Sequence, residues 1–398
     1  LAQVFRPRIA VVTPLFPIRS EIYRGQPIYL TVRELCAWSE VGVFSPAAVY
    51  PRLRALQPRN YVFKRADPAW KPEGIPQLQY LEYPALPVAG RLTNGWLSYR
   101  AMLPALRAFG PDVILAYWLY PEGWGAVRAG RQLGIPVVAG SRGSDLLKIA
   151  DPWTLRMTKK AVAGAVAIVT VSEELKRRAI ELGASAEMVH VILNGCDTSI
   201  FRPADRRAAR ESLGIPADGK VVLFVGHLLP GKGVMELLEA FRTLDPEVSD
   251  RLVYVGEGRM RDALAAAAGS MGGRVILAGG APPEGVAQWL AASDLLALPS
   301  YSEGCPNVVI EALACGRPVV ATPVGATPDL VAEDCGILVR PGDIAALAAA
   351  LRQALCHAWD HERIATAHRR PWTQVARETF EVCLGVVQKA QERPGSFG

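Results

Sequence analysis

The sequence predicts an α/β protein built from two doubly wound parallel sheets. Three observations lead there. Short runs rich in Val, Ile and Leu alternate along the chain with longer stretches of helical character, which is the rhythm of βαβ units. The apolar runs end in polar loops carrying glycine or proline, as strands of an open sheet do on the side where ligands bind. The length, 398 residues of which 50% are apolar, suffices for two full cores.

In chain order, Arg8–Thr13 reads as the first strand, a loop runs to Gly25, and Gln26–Ser39 reads as a helix. Residues 46–95 hold many prolines and support no assignment. The alternation resumes with a helix over Trp96–Phe109, a strand over Asp112–Tyr117, a helix over Glu122–Leu133 and a strand over Ile135–Ala139 that runs into the loop Gly140–Asp145. Ala167–Val171 is the next strand, and Ser172-Glu173-Glu174 supplies the hydroxyl and carboxylates that suit a helix start. After the strand His190–Leu193, Asn194-Gly195 marks a turn.

The second half repeats the pattern more clearly. Lys220–Val225 is a strand, Gly226–Gly233 a glycine-rich loop and Val234–Thr243 a helix. Strands Arg251–Val255 and Arg274–Leu277 end in Gly256-Glu257-Gly258 and in Ala278–Gly280, and a helix covers Pro282–Ala292. Asp294–Leu298 is a strand, Pro299–Cys305 a loop, and Pro306 suits the first turn of a helix over Asn307–Cys315 that Gly316 ends. Strands Arg317–Ala321 and Gly336–Arg340, a helix over Ile344–Ala358 and a last helix over Trp372–Gln391 complete the chain, with a tail, RPGSFG, expected to be mobile.

Composition narrows the function. No apolar run approaches the length of a membrane-spanning helix, and Arg6 and Arg8 interrupt any signal-peptide core at Leu1–Arg8, so a cytoplasmic protein is expected. The seven cysteines include no CxxC, which argues against a disulfide framework or a zinc site. His357 and His361, spaced i, i+4, suit one helix face, but no HExxH frame accompanies them and a surface pair is expected. Charge is uneven: residues 1–199 hold 24 Lys/Arg against 15 Asp/Glu and the rest 20 against 23, so the halves carry +9 and −3. Within Arg52–Lys71, six cations interleave with Tyr61, Phe63 and Trp70, a composition that suits an anionic membrane surface at the inner face of the cell membrane. Single-stranded nucleic acid would use similar residues and is not the expected partner.

The chemistry concentrates at Leu295–Gly325. Glu303 lies in the loop at a strand end and Glu311 eight positions on, inside an otherwise apolar helix. Free N–H groups at a helix start hold phosphate oxygens, whereas a carboxylate accepts from hydroxyls and repels phosphate. Two carboxylates beside a helix N-terminus therefore point to a sugar on each side of a diphosphate. Upstream, Gly226-x4-Gly231-Lys232 is nearly a P-loop, but Gly233 stands where a magnesium-binding Ser or Thr belongs.

Glu303-x7-Glu311, running into EALACGRPVVATPVG, resembles the donor-site signature of the retaining glycosyltransferases of family 4. The resemblance covers most of residues 110–355 and is strongest over 220–325. It implies the GT-B fold, two Rossmann-like domains facing a cleft: an acceptor domain at 1–198, a donor domain at 199–365, a hinge near 195–205 at NGCDTSIFRP, and residues 366–398 crossing back. It implies a retaining, metal-independent hexosyl transfer from a UDP- or GDP-sugar to a glycan or polyprenyl-linked acceptor in surface polysaccharide assembly, with no cofactor. Glu311 would take the ribose hydroxyls and Glu303 the sugar hydroxyls. Lys232, with His227 in place of the usual Arg, would neutralise the diphosphate, helped by the N–H groups of Asn307, Val308 and Val309. Gly25, Gly226, Gly256, Glu257, Ala278, Gly304, Cys305 and Pro306 would complete the donor site. On the acceptor side, GSRGSD resembles a loop that often carries His where Arg142 stands. Arg142 would bind an anionic group, Asp145 would orient the acceptor or cap the next helix, and Trp118 would line the site. A glycoside hydrolase, a P-loop NTPase and a nucleotide-sugar-binding protein without turnover are the alternatives.

Overall fold

The computed structural model describes residues 5–50, 66–85, 90–149, 151–245 and 249–392. The expected mobile tail lies outside them, as does most of the basic stretch, residues 52–65. The chain divides into two compact units, one of Leu1–Leu193 with Trp372–Gly398 and the other of Asn194–Pro371.

The first unit opens with β1 (Arg8–Val12), α1 (Gln26–Leu35), β2 (Glu40–Val49) and β3 (Gln77–Pro84), followed by α2 (Gly90–Phe109) and β4 (Val113–Tyr117). After a tight turn at Leu119–Gly123 come α3 (Trp124–Leu133), β5 (Val137–Ser141), α4 (Ser144–Leu147), α5 (Pro152–Gly164), β6 (Ala167–Thr170), α6 (Glu173–Glu181) and β7 (Val189–Val191). The seven strands run in the order β3-β2-β1-β4-β5-β6-β7, all parallel. Alternate strand residues feed two cores. Ile9, Val11, Val113 and Leu115 pack under α1 and the last helix, while Ala10, Val12, Ile114 and Ala116 pack under α2 and α3.

The end of β2 and all of β3 fall where the prolines blocked an assignment, and the start of β2 was not assigned. Pro46 is tolerated in β2 because the ladder to β1 ends at Val12 opposite Phe44, so the missing N–H breaks no bond to β1. β3 is an edge strand, and its mixed polarity follows from that place. α2 begins six residues before the expected Trp96, and β5 includes Gly140 and Ser141, which read as loop. Ser172 caps α6 by accepting from the Leu175 N–H at 3.1 Å.

The second unit contains α7 (Arg206–Ser212), β8 (Val221–Val225), α8 (Val234–Arg242), β9 (Arg251–Val255), α9 (Arg261–Ala268), β10 (Val275–Gly279), α10 (Pro283–Ala292) and β11 (Leu295–Leu298). It continues with α11 (Asn307–Ala314), β12 (Val319–Ala321), α12 (Thr327–Leu330), β13 (Gly336–Leu338), α13 (Ile344–Cys356) and α14 (His361–Ala367). Its parallel order is β10-β9-β8-β11-β12-β13. Fully buried Arg210 ties the lower part together, holding Asp294 at 3.0 Å and the Ala292 carbonyl at 2.8 Å. His357 and His361 do not share a helix face: His357 ends α13 against Trp359, and His361 starts α14 with Nδ1 2.7 Å from the Gly316 carbonyl. The final helix, α15 (Trp372–Glu392), belongs to the first unit, where it packs on α1.

Candidate functional site

In an open α/β sheet the strand order reverses at one point, and the loops on either side of that point splay apart to leave a crevice. In the second unit the reversal lies between β8 and β11. The two loops there are Gly226–Gly233 and Pro299–Pro306, which hold Lys232 and Glu303. The loops are pinned to each other by the Tyr301 N–H donating to the Gly231 carbonyl at 3.0 Å. Gly233, with φ 67°, lies so close that a Cβ would sit 2.2 Å from the Pro299 oxygen. This position cannot carry the Ser or Thr of a P-loop, so the magnesium-binding hydroxyl is sterically excluded. The result is an ion pair: Lys232 Nζ lies 2.6 Å from Glu303 Oε1, with the two side chains 27% and 10% exposed.

The Glu303 loop is held from below. The Ala326 N–H donates to the Gly304 carbonyl at 2.8 Å, and a Cβ on Gly325 would fall 2.5 Å from the Glu303 and Gly304 oxygens. Asn194 braces the start of α11, donating to the Asn307 side-chain oxygen at 2.7 Å and to the Cys305 carbonyl at 3.4 Å. Neither Gly325 nor the bracing by Asn194 was singled out from sequence. The Asn of NGCD was read only as a turn residue, and the Gly of TPVG was given no role.

Pro306 is the N-cap of α11, which starts at Asn307 as expected, and its carbonyl accepts from the Val309 N–H at 3.1 Å. The Val309 N–H, expected among the phosphate donors, is thus engaged within the helix start; with Pro306 at φ −74°, ψ 105°, the first turn closes early. Among the described residues the N–H groups of Asn307 and Val308 have no acceptor. Glu311 stands one turn beyond Asn307 on the same helix face. Its carboxyl is half-buried, makes no hydrogen bond among the described residues, and is pushed up to about 7 by burial alone. Its neighbours Cys196 and Cys315 are raised to about 12, chiefly by burial and then by the Glu311 charge.

The β9 and β10 ends form the other side of this region. The Gly226 N–H donates to the Val255 carbonyl, Leu228 N–H to the Glu257 carbonyl and Gly256 N–H to the Gly279 carbonyl, all within 2.8–2.9 Å. Glu257 Oε1 accepts from the Gly280 N–H at 3.2 Å and lies 3.8 Å from Arg261. Ala278 is inside β10 rather than in a loop, because the strand bulges and continues to Gly279. His227 is exposed, and no hydrogen bond or ion pair ties it to Lys232 or Glu303 among the described residues. A Cβ on Gly256 would lie 1.9 Å from the Gly226 oxygen, whereas one on Gly226 would meet nothing closer than 3.6 Å. Gly256→Ala should therefore cost about 3 kcal/mol in urea unfolding, and Gly226→Ala, strained only in its backbone, about 1 kcal/mol. Equal losses would show that the loops do not approach this closely.

In the first unit the strand order reverses between β1 and β4. Gly25, at φ 62°, packs its Cα against Leu15, so the close approach it permits is to the chain itself. Trp118, at the end of β4, has φ 81° and is the one positive-φ residue other than glycine among those described. Its loop is fastened by Asp145, whose Oδ2 accepts from the Leu119 N–H at 3.1 Å and whose Oδ1 accepts from Ser141 at 2.8 Å. Burial raises the Asp145 carboxyl, and these bonds hold it down in part. The guanidinium of Arg142 lies 5.5 Å over the Tyr117 ring. Glu122, missed in the sequence, is 4% exposed and pushed up to about 8 by burial, with Tyr83 donating to one oxygen at 3.3 Å and no partner for the other.

No helix among the described residues is long and apolar enough to cross a membrane, and none of their His, Cys, Asp and Glu side chains group as a metal site would.

A family model described as "Glycosyl transferases group 1" matches residues 219–357, and one described as "Glycosyltransferase Family 4" matches residues 40–200. TuaC of Bacillus subtilis strain 168, named as a teichuronic acid biosynthesis glycosyltransferase, is 33% identical over 258 residues, covering 64% of this chain and 62% of that protein. A D-inositol 3-phosphate glycosyltransferase of Thermobispora bispora is 36% identical over 316 residues, covering 70% and 71%. The chain spans about half to two thirds of the length of most curated relatives it matches. Among solved structures, HepE of Anabaena in complex with UDP superposes with a TM-score of 0.69 at 20% identity, covering 97% of this chain and 98% of that one. That likeness is one of fold.

Proposed function

Because the chain belongs to the group 1, family 4 glycosyl transferases, we propose that it moves a sugar from a nucleoside diphosphate sugar to a glycan or lipid-linked acceptor, with retention, in surface polysaccharide assembly. The observation that carries this reading is the Lys232–Glu303 pair at the β8/β11 reversal. It lies beside a helix whose first two N–H groups are unused and whose second turn holds an unpaired carboxyl.

Each group then has a task. Glu311 accepts from the ribose hydroxyls, which relieves its unpaired state. Lys232 leaves Glu303 for the diphosphate, and Glu303 turns to the sugar hydroxyls and steadies positive charge at the anomeric carbon. Asn307 and Val308 donate to phosphate oxygens from the helix start, and His227 supplies a further donor at the β8 end. The bond from the anomeric carbon to the diphosphate oxygen breaks, the acceptor oxygen bonds on the same face, and its proton leaves on the diphosphate. None of this requires a metal ion. In the first unit the Trp118 loop, fastened by Asp145 beside Arg142, is the acceptor side, working at the inner face of the membrane. The names of the relatives, a teichuronic acid and an inositol phosphate glycosyltransferase, support a carbohydrate or polyol acceptor.

The test is a thermal-shift series with UDP, GDP, ADP and ATP, each with EDTA and with magnesium, followed by an assay for nucleoside diphosphate release. HepE was solved with UDP, so the uridine nucleotide is the first choice. A ligand at a hundred times its dissociation constant should add about 2.7 kcal/mol of stability, with or without metal. Stabilisation that needs magnesium and ATP would overturn the reading. A shift without release of the diphosphate from a sugar donor, whatever acceptor is supplied, would leave a binding protein.

A further inference from the structure

The positive charge of the first unit is not spread evenly over its helices. α2, α3 and α5 pack side by side on one face of the sheet. Together they carry Arg91, Arg100, Arg107, Arg128, Arg131, Arg156, Lys159 and Lys160, all exposed, and not one Asp or Glu. The helices on the opposite face, α1 and α15, are mixed: Arg33, Arg377 and Lys389 accompany Glu34, Glu378, Glu381 and Glu392. Eight like charges on three neighbouring helices repel one another, a cost that a partner of opposite charge would remove.

The same face carries apolar groups in a particular place. Leu92 and Trp96, one turn apart on the first two turns of α2, are 56% and 42% exposed, and the Arg100 guanidinium lies 4.6 Å over the Trp96 ring. Between the three helices runs a groove of about 540 Å³ lined by Tyr99, Trp124, Arg128, Arg131 and Lys160, with no acidic residue. A second basic hollow of about 500 Å³, lined by Leu155, Arg156 and Lys159, adjoins it and shares Lys160. Asp151, at the α5 N-cap, lies 3.5 Å from Arg91 in an exposed pair.

We propose that the α2/α3/α5 face docks on an anionic lipid surface, with the cations over the headgroups and Leu92 and Trp96 entering the interface. A headgroup phosphate fits the cationic groove, and an exposed Trp beside an exposed Leu suits the boundary between headgroup and hydrocarbon. This rests on and deepens the lipid-linked reading of the acceptor, and it places a contact on these three helices. It is tested apart from sugar transfer, because vesicle binding needs neither donor nor turnover.

The full chain would be sedimented with vesicles of phosphatidylglycerol and phosphatidylcholine in equal parts, and with phosphatidylcholine alone. Binding should require the anionic lipid and weaken steeply with salt. Each cation near such a surface multiplies affinity about fivefold, so Arg156→Gln/Lys159→Gln/Lys160→Gln should lose on the order of a hundredfold. These side chains are exposed, and an unchanged melting curve would show the variant folded. Leu92→Ser/Trp96→Ser should weaken the part of binding that survives high salt. Equal binding to both vesicle types, or an unaltered triple variant, would overturn the proposal. So would binding to a single-stranded oligonucleotide in place of vesicles, which would assign the face to nucleic acid.

Discussion

Lys232→Met should lower kcat about a thousandfold while raising the donor KM less than tenfold. The split follows from where the charge develops. A diphosphate bound as the sugar ester carries less negative charge than the one that leaves, so a fixed cation stabilises the transition state more than the ground state. Before donor binds, Lys232 is held 2.6 Å from Glu303, at the point where the strand order reverses. In the proposed reaction, transfer of the ammonium to the phosphate would free Glu303 for the sugar at the moment it is needed. Removing Lys232 leaves a carboxylate that is 10% exposed facing the phosphates with no counter-charge. With the lysine itself 27% exposed, the loss of folding stability should be small, about 1 kcal/mol. Lys232→Arg should recover part of kcat, because the charge returns but the longer, planar group does not reproduce the ammonium's contact. Initial rates over a range of donor concentration decide the matter. A kcat within threefold of the parent would show that Lys232 does not serve the leaving group.

The parts of this site that could be read from the sequence are those carried by residues close together in the chain. Glu303, Pro306, Asn307 and Glu311 lie within one loop and one helix, and Gly226 to Lys232 within one strand end. A linear motif captures such a set because every member is fixed by the same local geometry. Residues that act across the chain were invisible. Asn194 reaches Asn307 over 113 positions, and Gly325 acts by leaving room under the Glu303 loop. The bond from the Val309 N–H to the Pro306 carbonyl was not legible either, because it depends on the backbone angles of Pro306 at the helix start. The fold shows the same division. Interior strands such as β8, β9 and β11 are apolar on both faces and stood out. β2 carries a proline beyond the end of β1, and β3 lies at the sheet edge, where neither apolar continuity nor a complete ladder is demanded.

Glu311→Gln should act with opposite signs on stability and on donor binding. In the free protein, burial lifts the carboxyl from 4.5 to about 7, with no partner to offset it. Because the folded-state value is raised, the stability linked to this proton is fully present below about pH 4.5 and is lost as pH rises towards 7. The glutamine carries no such penalty. At pH 8 the variant should be more stable than the parent by roughly 1–2 kcal/mol, below the limit the full shift would set because the side chain is partly solvated. Near pH 4 the two should melt alike. Donor binding should run the other way. Two ribose hydroxyls donating to the carboxylate favour its ionised form, so binding of a nucleoside diphosphate sugar releases a proton below pH 7. Its affinity should climb about tenfold per pH unit between 5 and 7 and then level off. A sugar-esterified diphosphate is the right probe, since it has no terminal phosphate proton of its own in this range. The glutamine variant should bind at least about tenfold more weakly at pH 8, having traded charge-assisted bonds for neutral ones, and its affinity should lack the rise between pH 5 and 7. Calorimetric titrations at several pH values, beside melts of the free proteins, give both readings. A variant that is less stable at every pH would mean that Glu311 already has a partner in the resting protein. Unchanged affinity would move the ribose to another carboxylate.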